Sequence, residues 1–472
     1  MNFIGRETEL SLLRSWDGAR SRLTVIYGRR RVGKTRLVEE AFRGKKCFRF
    51  EGIENETRRE SMQTFLRQLA GQFDSPELLE LNARRWDVLL SILSRKLGPE
   101  PCVMVFDEFQ WIAGRYGNLG GHLKYAWDNL FVKNNRVHLI LCGSISSFMV
   151  KKVIRSKALY GRVDCELALQ PLLLPEIIKG ADIRRSAAEL IEMYMLTGGV
   201  PHYIQLFDWK HSAWLNIRNL CFTANGFLVK EFERIFASHF GTIAHYGNIL
   251  KALARRKNAT REQLQKACSI ETGGRISEYL ENLELAGFIE KFTGIDRPEG
   301  VRYSRYRLAD FYLLFYFTFI APNLKKILNA PRGTPLEQYL PDRLKYTWMG
   351  RAFEHLCIHH HHFIAGHLGF GAVNYRAGSW ASKEDDGSGA QIDLAFVRAD
   401  KVITICEIKY TQDKTGPEII ADMERKVAAF PNKKKFTVEK VLITSAGATD
   451  ALASTGYFHR ILTTEALFSG SR

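Results

Sequence analysis

The sequence predicts an α/β chain of several domains, and three observations carry that prediction. Residues 23–42, LTVIYGRRRVGKTRLVEEAF, run from an apolar β segment through a glycine-bounded turn into an amphipathic helix. Two further apolar runs, CVMVFDEF from Cys102 and VHLILCGS from Val137, have the length of buried parallel strands and end in polar residues. At 472 residues the chain exceeds one ordinary domain, and a prior of about 100 to 200 residues per domain suggests three.

The first segment has the order a phosphate-binding loop requires. In Gly28-x-x-x-x-Gly33-Lys34-Thr35 the glycines let backbone N–H groups wrap phosphate oxygens, and the following helix adds the positive end of its dipole. Lys34, expected to stand exposed in this cradle, reaches β and γ phosphates, and the Thr35 hydroxyl ligates Mg²⁺. The cradle is the stretch Gly28, Arg29, Arg30, Arg31, Val32, Gly33, Lys34, Thr35, Arg36; within it Arg29, Arg30 and Arg31 read as a solvated face. The second strand ends in Asp107 and Glu108, a Walker B pattern: Asp107 to hold magnesium, Glu108 to orient the attacking water. The third delivers Ser144 to the same edge, where it can sense a γ-phosphate. Arg162, closing LYGR, is a candidate phosphate contact in cis or from a neighbouring subunit.

Together FIGRETEL, the phosphate loop, VFDEFQW, LCGSISSF, LYGR and LTGGVPHY resemble the prokaryotic and archaeal AAA+ ATPase family related to STAND-type switch NTPases. The resemblance implies an ATP-binding core with Gly5 and Arg6 near the base. It also implies a mobile helical lid containing Gly198, Gly199 and Pro201, and makes a homo-oligomer through this module an expectation.

Composition limits the setting. The chain is 46% hydrophobic and 25% charged, with no low-complexity tract or repeat, as a folded protein is. Lys and Arg outnumber Asp and Glu 68 to 51, and the formal charge of +17 favours polyanionic partners. Eight scattered cysteines without a C-x-x-C pair suggest a reducing compartment, and MNFIGRETEL lacks the apolar region of a signal peptide. FYLLFYFTFIA from Phe311 falls short of the roughly 18 apolar residues of a membrane helix and reads as core. A cytoplasmic chain with no membrane partner is expected.

From about Gly247 three short helices, NILKALARRKN, TREQLQKAC with Thr260 as N-cap, and RISEYLENLELAG, precede two β runs, GFIEKFT and VRYSRYRL. This is a winged-helix pattern. Its third helix exposes Glu278, Glu281 and Glu284, which would face phosphates with like charge; the wing offers Arg302, Arg305 and Arg307. A domain-coupling role is favoured over sequence reading.

Near the C-terminus, QIDLAFVRADKVITICEIKY carries Asp393 and Glu407 in successive β runs. Alternation puts Ile403, Ile405, Glu407 and Lys409 on one face. With an odd-length turn, pairing Val397 with Ile403 also sets Asp393 opposite Glu407, with Cβ atoms about 4.5 to 5.5 Å apart. Two carboxylates that close repel unless a cation sits between them. Asp followed by Glu-x-Lys resembles the PD-(D/E)XK nuclease core, with Ile392 where the family signature has proline. By that resemblance Asp393 and Glu407 hold Mg²⁺ with Glu354 and the Ile408 carbonyl, and Lys409 positions or activates water. His355, His359 and His362 do not complete a metal set and read as solvated or partly packed.

The expected organisation is therefore a P-loop NTPase (AAA+) core at 1–170, a helical lid at 171–235, a winged helix at 236–325 and a restriction-endonuclease-like α/β domain at 326–472. The expected function is an ATP-hydrolysing switch coupled to metal-dependent cleavage of nucleic acid, DNA more than RNA. Its rival is an ATP-controlled nucleic-acid or protein-binding regulator whose C-terminal domain cuts nothing.

Overall fold

The computed structural model describes residues 3–81, 84–114, 119–134, 136–180, 185–240, 244–270, 274–297, 304–331, 333–382 and 389–469. Its N-terminal part is built on strands β1 (Arg22–Tyr27), β2 (Cys47–Glu51), β3 (Cys102–Asp107), β4 (Val137–Gly143) and β5 (Cys165–Ala168). They form a parallel sheet in the order β2-β3-β4-β1-β5. The central strands β3 and β4 are buried along their whole length, which is why they read as unbroken apolar runs. One face packs on the helices Arg58–Gln72 and Trp86–Leu97 through Phe65, Leu69, Leu89 and Leu93. The other packs on Glu7–Arg14 and Lys34–Ala41 through Leu13, Leu37 and Val38. The carboxyl ends of β1, β3 and β4 come to one edge, where open parallel sheets place their ligands.

The helices Ala187–Thr197, Pro201–Gln205, Ala213–Cys221 and Glu231–Phe240 follow. The next unit runs helix Ala244–Ala254, β6 (Ala259–Thr260), helices Arg261–Ala267 and Arg275–Leu285, then β7 (Ile289–Thr293) and β8 (Ser304–Leu308). Its sheet is antiparallel, with β8 between β6 and β7. Thr260 caps its helix by accepting from the Gln263 N–H. Arg302 lies outside the described residues.

The greasy run after Asp310 forms the helix Phe311–Phe315 and its continuation, and Phe311, Leu313, Phe315, Phe319 and Ile320 are buried. Among the described residues no helix is long and apolar enough to cross a membrane.

The helix Asp342–His359 leads into β9 (Tyr375–Ala381), β10 (Gln391–Arg398) and β11 (Val402–Lys409), an antiparallel meander. The helix Ile419–Ala429 then crosses to β12 (Thr437–Thr444), parallel to β11, and β13 (Arg460–Thr463) completes the sheet. A single apolar core extends from Leu172 to Leu467, through the helices after the parallel sheet, the middle unit and one face of this last sheet. Packing therefore continues across the positions 235 and 325 at which the sequence suggests boundaries.

Candidate active site

At the end of β1 the chain turns at Gly28, whose φ is 155° and where a Cβ would stand 2.3 Å from the Leu169 carbonyl oxygen. Only glycine permits so close a backbone approach. The loop ends at Gly33, which starts the helix Lys34–Ala41. Lys34 is buried, not exposed: its ammonium donates to the Gly28 carbonyl at 2.9 Å and the Arg29 carbonyl at 3.1 Å. Burial pushes its pKa down, against the pull of Glu108. The Thr35 hydroxyl donates to Asp107 Oδ2 at 2.8 Å, so the two groups expected to share Mg²⁺ already touch.

Glu108 stands beside Asp107 with φ 47°, and its carboxylate accepts from Ser144 Oγ at 2.6 Å and Gln110 Nε2 at 2.5 Å. Burial would raise its pKa, but these two hydrogen bonds and nearby Lys34 hold it below the usual range. β3 and β4 thus place an ionised, oriented carboxylate at the sheet edge. The cleft here is lined by Lys34, Thr35 and Glu108 together with the apolar Phe3, Ile4, Leu172, Pro201 and Ile204. Arg6 also lines it.

At the C-terminal sheet the expected geometry needs correction. The three-residue turn 399–401 does set Val397 opposite Ile403. However, the pairing of β10 with β9 shifts register between Ile392 and Ala395, and both of these join the core beneath the helix Ile419–Ala429. The bulge breaks alternation at Asp393, which turns to the helix Asp342–His359 on the other face. There Lys257 stands 2.9 Å from Glu354 Oε2 and 3.5 Å from Asp393 Oδ1. Glu407 keeps the alternation and meets Lys426 at 2.6 Å and Lys409 at 2.9 Å. Asp393 and Glu407 each pair with lysine. Among the described residues no group of three or more His, Cys, Asp or Glu is placed to hold a metal ion, so Glu354, Asp393 and Glu407 do not assemble the expected set.

Residues 3–207 match the family model described as an ATPase domain predominantly from Archaea. The N-terminal part of the chain is a P-loop ATPase domain. An uncharacterised protein of Methanocaldococcus jannaschii is 27% identical over 327 residues, 69% of this chain and 70% of the relative. An uncharacterised ATP-binding protein of the same organism is 44% identical over 48 residues, 10% of this chain and 81% of the relative. Among solved structures, a Walker-type ATPase of Pyrococcus abyssi is similar with a TM-score of 0.47 and 21% identity, over 67% of this chain and 96% of that one.

Within the ATPase domain two readings change. Arg29 is no part of a solvated face: it is buried, its guanidinium paired with Asp310 and stacked over the Phe288 ring at 5.3 Å. Arg31 meets Glu231 at 2.6 Å and lies over Phe227 at 4.7 Å. Both partners come from beyond the domain, so nothing local in the sequence betrays them. Arg162, the candidate phosphate contact, holds Asp128 with two hydrogen bonds, 2.7 and 2.9 Å. Two participants were missed. Arg49 in the middle of β2 donates to Asp107 Oδ2 at 2.8 Å, and Gln110 braces both Glu108 and Ser144. Arg49 sits in an apolar-alternating strand, and only the pairing of β2 with β3 brings it to the acid.

Proposed function

We propose that the chain is a nucleotide-controlled switch: an AAA+ type ATPase domain whose ATP state sets the posture of a winged-helix unit and a C-terminal α/β unit that engage nucleic acid, DNA ahead of RNA. The observation that carries this reading is the placement of the middle unit's third helix. Its Glu281 pairs with Lys151 at 2.8 Å and approaches Arg155 at 3.9 Å, and Asn282 accepts from Lys151 at 3.1 Å, which ties this helix to the ATPase domain. Lys151 and Arg155 follow β4 of the ATPase domain, close in sequence to Ser144. The charge of +17 supplies the argument for a polyanionic partner. In this reading Lys34 meets the phosphates and Glu108 orients water, with Ser144 and Gln110 holding its carboxylate. Thr35 and Asp107 would hold Mg²⁺, which supplies charge neutralisation at the phosphates.

A second reading, in which Asp393, Glu407 and Lys409 cut the nucleic acid, has one observation in its favour. The meander β9–β10–β11 followed by a helix and the parallel β12 resembles the PD-(D/E)XK core, with the acids on β10 and β11. The lysine-paired acids on opposite faces favour the non-cleaving form. The two separate in one experiment with purified protein, Mg²⁺, labelled duplex DNA or RNA, and ATP or ADP, beside Asp393→Ala. Binding that differs between the nucleotides without products is the expected result. Products lost in Asp393→Ala would establish cleavage, and binding indifferent to nucleotide would sink the switch.

A further inference from the structure

We infer that the corner 308–311 is a joint through which the phosphate loop and the Lys257–Glu354–Asp393 cluster are thermodynamically coupled. The inference rests on the ATPase domain and not on what the C-terminal unit engages.

Four contacts meet at this corner. Asp310 receives the Arg29 guanidinium with one carboxylate oxygen and caps the helix Phe311–Phe315 with the other, accepting from the Leu313 N–H at 2.7 Å. Arg29 is also the residue whose backbone carbonyl holds Lys34, so loop shape and the Asp310 contact share one residue. The adjacent Ala309 carbonyl accepts from His355 Nε2 at 2.8 Å, and the His355 ring lies 4.5 Å from that of Phe311. His355 follows Glu354 on the helix Asp342–His359.

The other side of the cluster attaches to the same place. Lys257 precedes β6, which pairs with β8 immediately before the corner, Ala259 opposite Tyr306. Arg351, one helical turn before Glu354 and His355, donates to the carbonyls of Ala254 at 2.6 Å, Leu253 at 3.2 Å and Arg256 at 2.5 Å. The end of the helix Ala244–Ala254 is thereby fixed to the same helix that carries Glu354. Lys257 is held where its ammonium bridges the two acids, whose proximity it offsets. A shift of Arg29 on phosphate binding must move Asp310 or break a buried ion pair. Moving Asp310 displaces Ala309, and with it either His355 or the β6–β8 pair that presents Lys257. Coupling of this kind is reciprocal, so a change in the cluster has to be felt as a change in nucleotide affinity.

The test is a double-mutant cycle on the full chain, read as the dissociation constant of a fluorescent ATP analogue, with melting curves to confirm folding. Lys257→Met leaves two facing carboxylates without their cation and is expected to change nucleotide affinity by about five-fold or more. In an Asp310→Asn background the same substitution is expected to change it by less than about two-fold. Should Asp310→Asn fail to fold, His355→Phe keeps the ring on Phe311 while removing the donor to Ala309, and takes its place in the cycle. Unchanged affinity in Lys257→Met, or effects that simply multiply, would overturn the joint. Nucleic acid plays no part in the readout, so that failure would leave the proposed partner untouched.

Discussion

Lys34 combines two demands in one side chain. As the phosphate-loop lysine it must be charged when nucleotide arrives, yet here its ammonium is buried against two carbonyls and burial lowers its pKa. The loop therefore folds back on its own cation, and phosphate oxygens are better partners than the carbonyls they displace. Lys34→Ala is expected to lower ATP turnover by about 100-fold or more, the scale of removing one preorganised electrostatic group. Stability should change by only about 1 kcal/mol, because losing the ammonium relieves its burial while leaving two loop carbonyls without a donor. Phosphate release and a thermal melt on the same preparation check both halves. Undiminished turnover would remove Lys34 from the site. The motif itself was legible because its chemistry is local: glycines, lysine and threonine fall within eight residues. The burial of Lys34 was not, since it depends on partners the motif does not specify.

At the scale of elements, the contact between the segment after β5 and the turn after the helix Ala187–Thr197 is set by backbone, not side chains. Gly199 has φ 74°, and a Cβ there would sit 1.8 Å from the Leu172 carbonyl oxygen, while its own carbonyl accepts from the Leu172 N–H at 2.9 Å. Gly199→Ala must push the two backbone segments apart and is expected to cost at least about 2 kcal/mol. Gly198→Ala, at φ 57° and 3.1 Å from the side chain of Phe311, should cost about 1 to 2 kcal/mol, mostly the left-handed backbone. Urea titrations of both variants test the order; equal losses would show that the clash at Gly199 is relieved elsewhere. The sequence places Gly198 and Gly199 only through the family resemblance, and which glycine faces which carbonyl is a tertiary fact. The last hairpin repeats the lesson. Turn length and alternation gave the register Val397 to Ile403 correctly, whereas the bulge that turns Asp393 away from Glu407 arises from pairing with β9, a strand whose alignment local periodicity does not specify. Arg29 and Asp310, separated by 281 positions, lie further still beyond any local signal.

Over the whole molecule, three histidines held inside the packing, His138 and His360 buried and His355 partly so, share one electrostatic consequence. His138 lies within β4 between Trp16 and Phe42, with ring centroids at 5.2 and 5.3 Å, and bonds to the Thr24 hydroxyl at 2.8 Å. His355 holds Ala309, and His360 accepts from the Leu174 N–H at 3.1 Å while donating to the Leu356 carbonyl at 2.9 Å. Burial pushes each of the three down from the usual 6.5 to about 3, helped at His138 by Arg22 and Lys45. A base whose folded pKa is depressed binds its proton more readily in the unfolded chain. Its contribution to stability is complete above pH 6.5 and is lost progressively as pH falls toward 3. Each neutral histidine then adds a slope of about 1.4 kcal/mol per pH unit in that window. The high positive charge adds repulsion in the same direction, so the trend alone does not identify its source. His138→Phe does: it keeps an aromatic ring between Trp16 and Phe42 and removes one titrating group, and should flatten the slope of unfolding free energy between pH 4.5 and 6 by about one proton. Urea titrations across that range measure it. A slope identical to that of the parent chain would mean that His138 is not the neutral, buried base the fold makes it.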